Sequence, residues 1–284
     1  MFEDGGYIFY DGAMGTILQA NGLKRGERPD AMCITAADVV EKIHRMYVDA
    51  GSDIICTNTF GANAIALART GYSPEAIITA AISAAKRAAD GRARVALDIG
   101  PLGDFTEPVG SLTFERAYEL FKQQAVCGES AGADLAAIET MSDVTELRAA
   151  ILAVTENTNL PVFATMTFGK NGRTYLGVTP EEFVTAAEDA GATAIGLNCS
   201  LEPAEMFETA ERIAAASKLP LIIKPNAGLP DSQTGVYNMT PAEFAADMAK
   251  FAKLGVKVVG GCCGTTPEYI AELKKTFLTL TERS

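Results

Sequence analysis

Three cysteines occupy positions from which they could act together. Cys262 and Cys263 are adjacent and surrounded by glycines, and Cys199 follows an apolar run far earlier in the chain. Glycine accepts unusual backbone dihedral angles, which would let both neighbouring side chains reach one ion. Three thiolates in a reducing compartment suit Zn²⁺, with the fourth tetrahedral position left for water or substrate. The alternative is that Cys262 and Cys263 are small hydrophobic residues buried beside the rim of the fold.

The remaining cysteines, Cys33, Cys56 and Cys127, are predicted to have packing roles. His44 is the single histidine, and we interpret it as a residue on one face of a helix with no catalytic role. A chemistry without histidine disfavours acyl-transfer triads and His-rich zinc hydrolases. The sequence contains no GxGxxG or Walker motif, so nothing in it supports nucleotide binding.

Two acidic residues, Asp11 and Glu139, lie at the ends of apolar runs of strand length. Paired carboxylates could be the acid and base of a glycoside hydrolase. They could equally hold the ammonium group of a substrate, or they could cap neighbouring helices or pair with a lysine at the rim such as Lys224. The absence of Trp and the three clustered cysteines count against a glycosidase, but the residues alone leave these alternatives open.

A repeated unit, a short apolar run followed by a longer helical pattern, must position these residues. Strands are predicted at residues 7–11, 53–57, 94–99, 134–139, 162–167, 194–198, 221–224 and 256–260. Most are continuously apolar, which is typical of parallel strands buried on both faces. Helices are predicted at residues 36–50, 74–90, 114–131, 143–157, 180–190, 203–217, 241–254 and 267–280.

Local signals support the boundaries of these helices. Residues 179–182 (TPEE) and 240–243 (TPAE) place Thr at the N-cap, Pro at the first helical position and Glu at the third, which is a capping box. Several helices end at a glycine, as at Gly51 and Gly132, where a left-handed C-cap is expected.

The alternation predicts an α/β fold, a (β/α)8 TIM barrel that forms one domain over residues 1–284. A doubly wound open sheet is the alternative, but eight uninterrupted units favour the closed barrel. Functional groups of such barrels lie at the C-terminal ends of the strands. Closure would therefore bring Cys199, Cys262 and Cys263 to one mouth, together with Asp11 and Glu139.

Composition limits the possible partners and compartment. The chain has 24 Lys and Arg residues against 36 Asp and Glu residues, an acidic balance that argues against nucleic-acid binding. It has neither a basic leader with an apolar core nor an apolar run of about 18 residues. Six cysteines are too dilute for a disulfide scaffold. We therefore expect a cytoplasmic protein that binds neither nucleic acid nor a membrane.

Five motifs together resemble the homocysteine S-methyltransferase family. They are Asp11-Gly12-Ala13-Met14-Gly15-Thr16, Thr57-Asn58-Thr59-Phe60, Gly196-Leu197-Asn198-Cys199-Ser200, Pro225-Asn226-Ala227-Gly228-Leu229-Pro230 and Gly260-Gly261-Cys262-Cys263-Gly264-Thr265-Thr266-Pro267. The resemblance extends from about residue 8 to about residue 275. Within the family, the chain most resembles the homocysteine-binding domain of cobalamin-dependent methionine synthase.

The resemblance implies a zinc-bearing barrel that transfers a methyl group to the thiol of homocysteine and produces methionine. Carried over by motif, Cys199, Cys262 and Cys263 would bind one Zn²⁺ per chain and act in catalysis by activating the substrate thiol. Asp11 and Glu139 would hold the substrate amino group. The substrate-binding residues implied in this way are Asp11, Gly12, Ala13, Met14, Gly15, Thr59, Glu139 and Asn198. Coordination to zinc deprotonates a thiol, so no general base would be needed.

The methyl donor is the least determined part of this hypothesis. Similar proteins use methylcobalamin on another domain, S-methylmethionine or S-adenosylmethionine, or betaine. Gly61 stands where betaine-using members carry an aromatic residue, which argues against an aromatic cage for betaine. Because 284 residues leave no space for cobalamin modules, we expect a separate corrinoid protein to supply methylcobalamin. The alternatives are S-methylmethionine or S-adenosylmethionine as donor, and a non-catalytic zinc barrel that binds a partner.

Overall fold

Eight parallel strands form the centre of the protein in the computed structural model, which describes residues 6–24, 26–231, 235 and 237–282. The strands are β1 (Ile8–Phe9), β2 (Ile54–Cys56), β3 (Arg94–Ile99), β4 (Leu135–Met141), β5 (Val162–Met166), β6 (Ala194–Asn198), β7 (Leu221–Lys224) and β8 (Val256–Val259). Each corresponds to a predicted strand, and β4 continues two residues beyond its predicted end.

The strands are arranged as a barrel. Hydrogen bonds join them in the order β1-β8-β7-β6-β5-β4-β3-β2, with every pairing parallel. A parallel bridge between Tyr10 and Ile54 joins β1 to β2, and the Asp11 amide donates to the Ile54 carbonyl at 3.0 Å. These contacts close the sheet, so the prediction of a (β/α)8 TIM barrel is confirmed and the open sheet is excluded.

The helices surround this barrel. They are α1 (Met14–Ala20), α2 (Met32–Thr35), α3 (Ala37–Ala50), α4 (Ala64–Leu67), α5 (Pro74–Ala89), α6 (Phe114–Ala131), α7 (Val144–Thr155), α8 (Pro180–Asp189), α9 (Pro203–Ala216), α10 (Pro241–Met248) and α11 (Pro267–Glu282). A 3₁₀ helix, Ala249–Leu254, continues α10 where a single helix was expected. The short helices α1, α2 and α4 were not predicted, because one or two turns show little periodicity. Among the described helices, none is both long and apolar enough to cross a membrane.

The predicted end signals are present. Thr179 and Glu182 form a capping box at the start of α8, and Thr240 and Glu243 form another at the start of α10. Gly51 ends α3 with a φ of 102°, a left-handed conformation that glycine adopts without a steric penalty. These caps support the expected alternation of helix and strand around the barrel.

The barrel interior is packed with side chains below the mouth. Tyr10 and Phe163 lie there with ring centroids 6.3 Å apart, among small and aliphatic residues of the other strands. Cys33 is also buried, on the outer side of the barrel, and Cys127 is half-buried, in keeping with packing roles. His44 lies on α3 as expected, but its side chain is 0% exposed and packs inward. The amphipathic pattern of α3 placed this residue on a helix but gave no sign of its complete burial.

Candidate active site

A cavity of about 270 Å³ lies at the C-terminal ends of the strands. Its walls combine segments that are far apart in the sequence. They are Asp11, Gly12, Ala13, Met14, Gly15, Thr16, Pro29, Cys56, Thr57, Asn58, Phe60, Asp98, Glu139, Thr140, Cys199, Lys224, Gly261, Cys262 and Cys263. The barrel therefore brings the three predicted metal ligands together with most of the predicted substrate-binding residues.

The three thiols of Cys199, Cys262 and Cys263 converge on one wall of this cavity. The Sγ atoms of Cys199 and Cys263 are 3.8 Å apart, and all three sulfurs lie within 4.8 Å of one another. A tetrahedral zinc centre with Zn–S bonds of about 2.3 Å places its sulfurs roughly 3.8 Å apart. The donor set and its spacing therefore fit a zinc ion with three protein ligands.

Backbone geometry turns Cys199 toward the other two cysteines. Cys199 and Ser200, which directly follow β6, have φ angles of 60° and 63°, a left-handed conformation that non-glycine residues seldom adopt. The Cys199 amide donates to the Lys224 carbonyl at 3.0 Å, and the Leu201 amide donates to the Cys199 carbonyl at 2.7 Å. These bonds fix a sharp turn that directs the thiol into the mouth.

The loop after β7 holds the adjacent cysteines. The Cys262 amide donates to the Pro225 carbonyl at 2.8 Å, and the Cys263 amide donates to Oδ1 of Asn226 at 3.1 Å. The Ala227 amide in turn donates to the Cys263 carbonyl at 3.0 Å. The Pro225–Ala227 segment thus holds the loop of Cys262 and Cys263 in place through hydrogen bonds that need no metal.

A second contact joins the cysteine loop to the loop after β1. A Cβ atom added to Gly12 would lie 2.5 Å from Oγ1 of Thr265, and one added to Gly261 would lie 2.3 Å from the same atom. The Ala13 amide donates to the Thr265 carbonyl at 3.0 Å, and the Tyr47 hydroxyl lies 2.9 Å from the carbonyl oxygens of Ala13 and Thr265. The two loops therefore need glycine at their closest approach.

The acidic residues have different partners. Oε2 of Glu139 forms an ion pair with Nζ of Lys224 at 2.5 Å, which is one of the alternatives that the sequence left open. Lys224 is 5% exposed, and its Nζ lies 4.3 Å from the centroid of the Tyr10 ring. Oδ2 of Asp11 accepts a hydrogen bond from the Cys56 amide at 2.8 Å. Both carboxylates are thus anchored in the cavity wall.

An irregularity in β4 presents Glu139. The pairing register with β5 shifts between Ile138 and Met141, and Thr140 has a φ of 62°. Such irregularities bend a strand and redirect its side chains, and they recur beside active sites. The strand was predicted to end at Glu139. Nothing in the sequence indicates that the strand pairs again beyond a bulge.

The buried acids are not ordinary carboxylates. Burial raises the pKa of Asp11 from its usual 3.8 to about 7, although Lys224 and the Cys56 amide oppose the shift. Burial, reinforced by Glu139, also raises the pKa of Asp98 well above its usual range. Both carboxyl groups therefore ionise less readily than they would in water, and Lys224 is the cation beside them.

The thiols share their protons unequally when no metal is bound. Hydrogen bonds from the thiols of Cys199 and Cys262, and a further one with Tyr237, lower the pKa of Cys263 to about 3. The hydrogen bonds of Cys262 to Cys199 and Cys263 raise the pKa of Cys262 well above its usual range. In the metal-free cluster, Cys263 is therefore the thiol that ionises most readily.

Asn198 lies behind the wall of the cavity and does not line it. Its side-chain oxygen accepts from the Thr140 amide at 2.8 Å and from Thr165 Oγ1 at 2.7 Å. Its side-chain nitrogen donates to Thr140 Oγ1 at 2.8 Å and lies 3.8 Å from Sγ of Cys262. The geometry therefore places Asn198 as a support for Cys262 and Thr140.

Thr59 is likewise buried outside the cavity lining, where its Oγ1 donates to the Asp98 carbonyl at 2.7 Å. Asp98 is a cavity residue to which sequence reasoning assigned no role. The sequence did contain one sign of its importance: Asp98 lies near the C-terminal end of β3, and functional residues of TIM barrels lie at that end of the strands.

Comparison with known proteins agrees with the resemblance seen in the motifs. The family model for homocysteine S-methyltransferase matches residues 8–277. The chain belongs to the homocysteine S-methyltransferase family. The family assignment predicted from the five motifs is thereby confirmed over nearly the same range.

Two methionine synthases are similar to this family member. The protein from Mycobacterium tuberculosis is 36% identical over 285 residues, and the one from Mycobacterium leprae is 33% identical over 285 residues. Each alignment covers 93% of this chain but 24% of the relative, so the chain spans about a quarter of their length. The metallated form of the homocysteine methyltransferase MmuM from Escherichia coli has the same fold, with a TM-score of 0.84 at 21% identity over 96% of this chain and 97% of that one.

Proposed function

We propose that the chain is a homocysteine-binding barrel over its 284 residues and moves a methyl group onto the sulfur of homocysteine, giving methionine. The observation that carries this proposal is the convergence of three thiols within 4.8 Å in a cavity that also holds buried acids. Membership of the homocysteine S-methyltransferase family supports it. A thiol-binding centre beside an acidic wall suits a substrate that is both a thiol and an amine.

Cys199, Cys262 and Cys263 would hold one Zn²⁺, since their number, element and spacing match a zinc site with three protein ligands. When bound, zinc supplies positive charge that deprotonates a thiol at neutral pH, which makes it a nucleophile. The hydrogen bonds that the Cys262 and Cys263 amides donate to Pro225 and Asn226 keep the sulfurs converged before an ion arrives. A preformed donor set lowers the ordering cost of binding.

The acidic wall would bind the amino group of homocysteine through Asp11 and Glu139. Each of these residues has one carboxylate oxygen engaged, by the Cys56 amide and by Lys224 respectively. These anchors restrict side-chain rotation, so the carboxylates are oriented before the substrate enters. A cationic ligand would also favour the ionised form of Asp11, whose pKa burial raises.

The substrate carboxylate would lie at the backbone of Gly12, Ala13, Met14 and Gly15. The Ala13 amide already donates to Thr265, so the amides of the first turn of α1 are the better candidates. Amides in a first helical turn have no intrahelical acceptor. A Cβ atom added to Gly15 would meet nothing within 4 Å, which leaves space for a ligand there.

We favour methylcobalamin on a separate corrinoid protein as the methyl donor. The chain spans 24% of the two methionine synthases, so a partner or another module would have to carry the donor. Large apolar side chains on loops that follow β2, β3, β5 and β7 suit a protein partner at the mouth. They are Phe60, Val109, Tyr175 and Leu229. All six cysteines are free thiols, which fits a reducing compartment such as the cytoplasm.

The test is to load the protein with zinc and measure methionine formed from homocysteine with methylcobalamin, S-methylmethionine or S-adenosylmethionine in turn. We expect methionine with methylcobalamin, and more when a corrinoid protein carries it. If methionine formed only with S-methylmethionine or S-adenosylmethionine, that compound would be the donor and methylcobalamin would not. Zinc binding without methionine from any donor would instead favour a partner-binding barrel without catalysis.

A further inference from the structure

Asp98 is a buried acid of the cavity that the proposed function has not used. It lies near the C-terminal end of β3, lines the cavity and is 8% exposed. Its amide donates to Thr57 Oγ1 at 3.1 Å, and its carbonyl accepts from Thr59 Oγ1 at 2.7 Å. These two threonines, which bond to each other at 2.7 Å, fix the backbone that presents the carboxyl group.

The side chain of Asp98 differs from the other acids of the wall because its Oδ1 has no hydrogen-bond partner among the described residues. Asp11 is anchored by the Cys56 amide, and Glu139 by Lys224. A buried polar atom without a partner costs free energy, and a buried carboxylate costs more. The unliganded cavity therefore contains a carboxyl oxygen to which a ligand can donate a hydrogen bond.

The charge of the cavity wall suits a cationic donor at this position. The wall carries the carboxyl groups of Asp11, Asp98 and Glu139 against one ammonium group, that of Lys224. Among the described residues, the three cysteines alone form a cluster of metal-ligating atoms within 4.8 Å, so these acids are too dispersed to share one metal ion. An organic ammonium group provides both positive charge and N–H donors.

We propose that Asp98 is a specificity-determining residue whose Oδ1 accepts a hydrogen bond from the ammonium group of the thiol substrate. This inference rests on the proposed function and deepens it. An ammonium group has three N–H donors, while Asp11 and Glu139 each have one oxygen already engaged. Asp98 thus makes the cavity select α-amino thiols over thiols of the same length that lack the amino group.

The experiment compares the affinities of homocysteine and 4-mercaptobutanoate, which lacks the amino group, for zinc-loaded wild type, Asp98→Asn and Asp98→Ser. Asp189→Asn, which changes an exposed carboxyl group at the C-terminal end of α8, is the matched control. Wild type and the control should prefer homocysteine. A hydrogen bond to a charged group corresponds to a factor of about ten to a hundred, so Asp98→Ser should lose a preference of that size. Asp98→Asn should lose less, because its amide oxygen still accepts a hydrogen bond.

The affinity for 4-mercaptobutanoate, the zinc content and the melting temperature should stay close to wild type in both variants. An unchanged homocysteine preference in Asp98→Ser would overturn this inference alone. An equal loss of affinity for both thiols, or loss of zinc or of the folded state in both variants, would also overturn it, because Asp98 would then be structural. Failure of the wild type to bind homocysteine would overturn the proposed function as well.

Discussion

The two sides of the barrel mouth are organised by different interactions. On the side of β6 to β8, backbone amides hold the cysteines: those of Cys199 and Cys262 donate to the carbonyls of Lys224 and Pro225 at 3.0 and 2.8 Å. On the side of β1 to β4, the functional groups are buried carboxyls, and Oδ1 of Asp98 has no partner among the described residues. The cysteine side is thus held by hydrogen bonds within the protein, whereas the acidic side keeps a carboxyl oxygen without such a bond among the described residues.

This difference separates two tasks. Under the proposed function, the cysteine side presents three sulfurs to an ion, and backbone hydrogen bonds provide the fixed spacing. The acidic side would recognise the charged group of the substrate, which would favour the ionised carboxylates. The contacts among Gly12, Gly261 and Thr265 join the two sides.

Removing one thiol should break the cysteine side most severely. In Cys262→Ala we expect zinc to be lost and methyl transfer to fall by roughly a thousandfold or more, because the metal contributes several kcal/mol to thiol activation. Metal content by mass spectrometry and methionine formation measure the two effects. Cys127→Ala, which changes a half-buried cysteine of α6, should retain both. Full activity in Cys262→Ala would show that the cluster is not the reactive centre.

Asp11 tests whether the acidic side is strained without ligand. Its pKa is about 7 in the folded protein and 3.8 in the unfolded chain, so between these values the folded state binds more protons. Its contribution to stability therefore falls as pH rises from about 4 to 7. Relative to wild type, the free energy of unfolding of Asp11→Asn should gain about 4 kcal/mol between pH 4 and pH 8 in urea unfolding of the ligand-free protein. An equal pH dependence in both proteins would mean that Asp11 ionises without penalty.

The junction between the two sides can be tested at Gly12. Gly12→Ala should lower the free energy of unfolding by about 1–3 kcal/mol, because the new methyl group meets Thr265 and Tyr47 at 2.5 to 3.0 Å. Gly15→Ala is the stability control, since its Cβ atom meets nothing within 4 Å. Chemical denaturation of both variants measures the difference. A similar stability for the two would show that the loops can separate without cost.

A milder change at the same junction is Tyr47→Phe. It removes the hydroxyl that lies 2.9 Å from the carbonyl oxygens of Ala13 and Thr265 but keeps the buried ring. We expect a loss of about 1 kcal/mol in the free energy of unfolding, the usual contribution of one hydrogen bond. Zinc content should not change, because the backbone bonds of the cysteine side do not involve Tyr47. Loss of zinc would mean that the junction also positions the thiols.

The sequence predicted the cysteine side better than the acidic side. Gly-flanked Cys262 and Cys263 and the strand before Cys199 are local patterns, and barrel closure then requires that they meet. Glu139 and Lys224 belong to strands that are not neighbours in the sheet, so no spacing in the sequence shows that they pair. The missing partner of Asp98 is also invisible in the sequence, since it depends on what every surrounding element leaves unfilled.

The most direct test of the central claim is X-ray absorption at the zinc edge of the loaded protein, with and without homocysteine. Three sulfur neighbours at about 2.3 Å are predicted without the substrate, from Cys199, Cys262 and Cys263, and four in its presence. Fewer than three sulfurs in the free protein, or an unchanged spectrum at saturating homocysteine, would contradict the account.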